Sequence, residues 1–181
     1  MRQNLIEAAE KAQTKNIARE LCLSGILIAL VFAATMFINI RLPVSLNGGL
    51  IHLGNVPLIA AAVAFGGRKG ALAGAFGMSL FDLVSGWAIW APFTFVIRGV
   101  MGYVIGAIAG RKSGCSTALN ILAVAAGGFC MLLGYYLTEV ILYGNLYAPL
   151  TSIPGNLVQL AAGALLGLPI AKALIKLGVA G

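Results

Sequence analysis

Between Leu21 and Ile40 the chain runs for twenty residues without one formally charged side chain. A helix needs about 20 apolar residues to cross the hydrocarbon of a bilayer, and lipid offers no partner to an unpaired backbone N–H or C=O. This run is therefore read as a transmembrane helix. The rest of the composition agrees, with 60% apolar and only 9% charged residues against the roughly 25% charged of soluble domains.

Before that run, Arg2, Lys11, Lys15 and Arg19 alternate with Glu7, Glu10 and Glu20. There is no short apolar core and no small-residue cleavage site, so 1–19 reads as a retained, amphipathic cytoplasmic segment rather than a signal peptide. Cys22, Cys115 and Cys130 show neither CxxC nor zinc-type spacing, and small buried thiols are expected.

Breaks at Arg41 to Gly49, Gly66 to Gly70, Ser85 to Pro92, Gly110 to Gly114 and Gly144 to Pro154 divide the remainder into apolar spans. The expected fold is a single all-α membrane domain over 1–181, a compact bundle of six transmembrane helices near 20–40, 51–66, 70–85, 92–110, 117–143 and 153–176. Basic residues cluster at the N-terminus, at Arg68 and Lys69, at Arg111 and Lys112, and at Lys172 and Lys176, whereas the alternate loops hold only Arg41. The positive-inside rule makes the first group, and with it both termini, cytoplasmic. The 12 basic residues against 5 acidic ones are thus a topological signal, and no nucleic-acid partner is expected.

Small residues recur every fourth position at Gly25, Ala29 and Ala33, at Gly70 and Gly74, at Gly102, Gly106 and Gly110, and at Gly163 and Gly167. Such stripes let two backbones approach closely. Packing within the bundle is the reading for most of them; the Gly25 stripe lies where an external partner can reach it.

In this orientation the polar residues gather in the outer half of the bundle. Asp82 lies about one turn from the outer end of the third helix, Glu139 at a similar depth in the fifth, and Arg98 about two turns down the fourth. His52 and Asn55 open the second helix, and Asn156 and Gln159 the sixth. Tyr135 or Tyr136, Glu139 and Tyr143 share a helix face, and Trp87 and Trp90 sit in the outer loop between the third and fourth helices. Intramembrane ionisable groups are functional candidates by default, and together these residues describe an aromatic, hydrogen-bonding cavity for a small molecule, closed below by small apolar residues. Structural roles stay open beside that reading: an Asp82–Arg98 ion pair, a helix-start cap at His52, and interfacial anchoring by the two tryptophans.

Catalytic motifs are missing. The chain has no GxxxxGK[ST] loop, no HExxH, no GxSxG and one histidine, so neither a catalytic residue nor a metal site is assigned. Without a nucleotide site, uphill transport needs an ion gradient or a partner ATPase.

The run Gly49-Leu50-Ile51-His52-Leu53-Gly54-Asn55, then Ala64-Phe65-Gly66 with Gly70-Ala71-Leu72-Ala73-Gly74, Asp82-Leu83-Val84-Ser85-Gly86, Trp90-Ala91-Pro92-Phe93-Thr94, and Ile153-Pro154-Gly155-Asn156 with Gln159 resembles the substrate-binding S components of energy-coupling factor (ECF) vitamin transporters. The resemblance runs from Leu21 to Lys176. It implies a subunit of the bacterial plasma membrane that captures a vitamin at the outer face and docks on a membrane scaffold, the T component, carrying two cytoplasmic ATPases. Ala29-Leu30-Val31-Phe32-Ala33 fits the family's AxxxA docking motif. No cofactor is implied for this chain; ATP and Mg belong to the partners. Within the family the chain is most similar to the subgroup for hydroxymethylpyrimidine or pyridoxine-type vitamers, with riboflavin and pantothenate members close by. A stand-alone proton-coupled carrier and a membrane enzyme using His52, Asp82 and Glu139 are the alternatives from other classes.

Overall fold

A computed structural model describes residues 2–41 and 50–180, with side chains from position 13 onward except at 15 and 41. The amphipathic character expected of 1–19 therefore lies largely outside the described residues, as does most of the break expected at 41–49. Along the backbone, α1 (Arg2–Phe37) is one continuous helix, about 54 Å long at about 1.5 Å per residue. Its first turns thus run into the first span without a break. Leu27, Val31 and Thr35, four residues apart, form its buried face, while Leu21, Ile26, Leu30 and Phe37 are exposed. The helix ends where Asn39 turns its amide back onto the carbonyls of Thr35 and Met36, at 3.0 and 2.6 Å, satisfying acceptors that a helix terminus leaves open.

Strands β1 (Asn39–Arg41) and β2 (Leu50–His52) follow as an antiparallel pair with Asn39 opposite His52. This corrects the expected second helix, which begins only at Asn55.

Helix α2 (Asn55–Phe65) has nine of its eleven residues buried. It is about 16 Å long, half of what a bilayer demands, and apolar on every side, the pattern of a helix enclosed by others. Gly66, at φ +87°, is the single residue between α2 and α3 (Gly67–Val84), a left-handed position that glycine takes without a Cβ clash. Then come α4 (Ala91–Ala109), a 3₁₀ turn at Gly110–Lys112, α5 (Thr117–Tyr143), a second 3₁₀ turn at Ala148–Thr151, and α6 (Ile153–Lys176). Among the described residues, Asn16–Phe37, Ala91–Lys112, Thr117–Tyr143 and Ile153–Lys176 are long and apolar enough to cross a membrane. The chain is an all-α membrane bundle of six helices, four of them long enough to cross by themselves, with α2 as a short central element.

Glycines set the distances between helices. A Cβ on Gly70 would lie 2.8 Å from the Gly102 carbonyl oxygen, and one on Gly74 would lie 2.7 Å from that of Arg98, so α3 and α4 touch backbone to backbone. Gly163 and Gly167 do the same for α6 against Asn55, Val56 and Ile59 of α2, and Gly77 for α3 against Val31 of α1. At Gly25 an added Cβ meets nothing within 4 Å. The thiols depart from expectation, because Cys22 and Cys115 are exposed and Cys130 half-buried.

The basic clusters share one end. Lys69 forms an ion pair with Glu20 at 2.6 Å and bonds Ser24 at 2.8 Å; Lys172 reaches Thr117 at 2.8 Å; Gly114 packs on Val63 and Ile175. The positive-inside rule makes this the cytoplasmic end. A side chain has no room at the α3–α4 crossing, where overpacking typically costs about 1–3 kcal/mol or more. Gly102→Leu should therefore abolish the monodisperse peak of the detergent-purified protein in size-exclusion chromatography, whereas Gly25→Leu should leave it unchanged.

Candidate ligand cavity

At the end opposite the basic clusters, β2, α3, α4, α5, α6 and the α3–α4 connection enclose a cavity of about 90 Å³. Nine of the eleven site residues expected from sequence line it: His52, Asp82, Trp87, Trp90, Arg98, Tyr135, Glu139, Asn156 and Gln159. The other two stand behind it. Asn55 is wholly buried beneath and accepts a hydrogen bond from Arg98 at 2.6 Å, and Tyr143 packs its ring on Trp90 at a centroid distance of 6.3 Å.

The floor differs from the expected small apolar plug. It is Arg98, whose side chain is the largest of those fully buried, at 2% exposure. A buried charge is costly unless it is hydrogen-bonded or paired. Among the described residues no carboxylate lies within ion-pair distance of it, which corrects the Asp82–Arg98 pair. Instead its Nε donates to the Tyr135 hydroxyl at 3.1 Å, its Nη1 donates to Asn55 and lies 2.8 Å from the Met131 sulfur, and the guanidinium sits 5.1 Å from the Tyr135 ring centroid, within cation–π range.

The hydrogen bonds continue upward. Tyr135, having accepted from Arg98, donates to Thr94 Oγ1 at 3.3 Å, and Thr94 stands beside the Asp82 carboxylate. Two hydroxyls thus lie between Arg98 and Asp82. Thr94 was not among the expected residues, although it precedes Arg98 by four and so shares its helix face.

On the other walls, Glu139 accepts from Ser152 Oγ at 2.9 Å, and the Gln159 amide donates to the Leu50 carbonyl at 2.8 Å, fastening α6 to β2. Ser152 and Leu50 are the further residues missed, one reached through a 3₁₀ turn and the other through a strand that helical periodicity does not reveal. Trp90 is buried and tilts against Tyr135 at 6.3 Å, so it is a wall of the cavity and not an interfacial anchor. Tyr136 points elsewhere, donating to the Leu146 carbonyl.

His52, in the hairpin outside the spanning helices, accepts the Gly54 N–H on Nδ1 at 3.2 Å. It therefore does close the start of α2. An accepting Nδ1 fixes the neutral tautomer with the proton on Nε2; burial, with Arg98 adding to it, pushes the pKa down to about 3. No group of three or more metal-type ligands is gathered among the described residues.

Residues 15–176 match the family model described as ECF-type riboflavin transporter, S component. The chain is 31% identical over 128 residues, 71% of its length and 84% of the relative's, to an uncharacterized protein of Pyrococcus woesei. It is 27% identical over 165 residues, 91% of its length and 92% of the relative's, to the thiamine precursor transporter HmpT of Lactococcus lactis subsp. cremoris.

Arg98 rests on Asn55, and a buried group that loses its partner typically costs about 1–3 kcal/mol. Asn55→Ala should lower the thermal midpoint of the purified protein by several degrees, and Asn55→Ala combined with Arg98→Met, which removes the stranded charge, should recover part of that loss.

Proposed function

Because the chain belongs to the family of ECF-type riboflavin transporter S components, we propose that it is the vitamin-capturing membrane subunit of an ATP-driven importer, and that its ligand is a single-ring vitamin or precursor of the hydroxymethylpyrimidine or pyridoxine type. The observation that carries the ligand reading is the cavity. Its volume of about 90 Å³ is small beside the roughly 300–1,000 Å³ of sites for drug-sized ligands. Its aromatic and hydrogen-bonding walls suit a flat ring with polar substituents. The Lactococcus relative, named for a thiamine precursor and aligned over nearly all of both chains, supports the same class. Riboflavin is the second reading, favoured by the family's description.

In this reading the ligand enters from the outer face of a bacterial plasma membrane, stacks on Trp90 and bonds to Asp82, Glu139, Asn156 and Gln159 over the Arg98 floor. The chain has no resident cofactor. A membrane scaffold and two ATPases, which use ATP and Mg, reorient the loaded subunit. Gly25 and Ala29 on α1 are exposed and Ala33 half-buried, a flat face on which such a scaffold can seat closely.

Mass spectrometry of small molecules retained by the detergent-purified protein should find a single-ring pyrimidine or pyridine; a retained flavin would replace the first reading by the second. In calorimetric titration Trp90→Ala and Glu139→Gln should each weaken binding by about 5- to 150-fold. Replacing Ala29 and Ala33 together by Trp should leave that titration intact while abolishing co-purification with the scaffold and ATPases and cellular uptake.

A further inference from the structure

Two buried acceptors in the cavity have no partner among the described residues: Oδ2 of Asp82, a residue 8% exposed, and Oε1 of Gln159, one 3% exposed. Buried polar atoms are almost always hydrogen-bonded, and an exception needs an explanation. The Gln159 Nε2 donates to the Leu50 carbonyl, which can only accept, so the amide cannot be flipped and Oε1 is the atom left over. On the other wall, the Arg98 guanidinium donates to the Tyr135 hydroxyl, which donates in turn to Thr94, and Thr94 stands beside Asp82. The Oδ2 of that carboxylate has no partner among the described residues.

Resting on the reading of the cavity as a vitamin site, we propose that Asp82 Oδ2 and Gln159 Oε1 are the specificity-determining acceptors and select an amino-substituted ring over its oxo counterpart. A ligand that brings N–H donors fills both vacant acceptors; one that brings a carbonyl to the same place sets oxygen against oxygen and leaves both protein atoms unfilled. Sites built to hydrogen-bond a particular group reject analogues lacking it far more strongly than apolar pockets reject a missing methylene. The cavity keeps donors elsewhere, in the His52 Nε2–H tautomer fixed by Gly54, so ring nitrogens and a hydroxymethyl oxygen are not left without partners.

The test is calorimetric titration of the purified full chain with an aminopyrimidine bearing a hydroxymethyl group and with the same ring carrying an oxo group in place of the amino group. The unaltered protein should prefer the amino compound by about 10- to 100-fold. Asp82→Asn keeps the shape but turns one acceptor into a donor, and should shrink that preference to within about threefold. Gln159→Met, of similar volume and without the acceptor, should also shrink it, so the inference stays testable if one variant fails to fold. Equal affinity for the two compounds in the unaltered protein, or an undiminished preference in a folded variant, overturns the inference while the vitamin-site reading stands, because a pyrimidine is bound. Binding of neither pyrimidine, with flavin bound instead, overturns both.

Discussion

The arrangement of the outer half depends on how one buried guanidinium is satisfied. Arg98 on α4 is joined to α2 through Asn55 and to α5 through Tyr135 and Met131, and the Tyr135 hydroxyl donates on to Thr94, which stands beside Asp82 of α3. Three of the six helices are thereby bonded around one cation, with α3 next to them. Pairing it directly with Asp82 would neutralise both charges and close the space between them; with the two hydroxyls between them, the carboxylate lines the cavity and the cation lies beneath it.

That arrangement requires helices closer together than large side chains permit. The Arg98 carbonyl lies against Gly74, and Asn55 against Gly163, so the polar floor and the glycine contacts occupy the same level of the bundle. Lipid supplies little hydrophobic drive for one helix to seek another; close backbone packing and buried hydrogen bonds substitute for it. The shortness of α2 follows from the same geometry. Enclosed on all sides, it needs only to reach the level of Arg98, where Asn55 at its start accepts from that guanidinium.

How much of this is legible in the sequence depends on the period of the signal. The fifth and sixth helices stand in sequence at 117–143 and 153–176, where Thr117–Tyr143 and Ile153–Lys176 are found, because turn residues bound long apolar runs on both sides. The hairpin is not legible in that way: three-residue strands carry too little alternation to compete with a helical reading of 51–66. The gathering of nine site residues could be inferred from depth alone, since orientation converts sequence position into height in the membrane. Pairing could not. Depth places Asp82 near Arg98 but is silent on Thr94 and Tyr135, whose hydroxyls lie between them, and a rule that charges in lipid seek each other gives the wrong partner.

The way Arg98 is satisfied is informative about selectivity. If Asp82 and Arg98 were a closed ion pair, the cavity would lose one of the two carboxylates on its walls and the acceptor it offers a ligand. With the pair opened by two hydroxyls, the carboxylate keeps an acceptor for the ligand, and the guanidinium, already bonded to Asn55 and Tyr135, needs no anion from it. A neutral ring with donors at one edge completes such a cavity better than an acidic one, whose charge would meet both Asp82 and Glu139 on the walls. Charge separation within the protein thus becomes discrimination between ligands of similar size and shape, a property that volume and aromatic lining alone cannot supply.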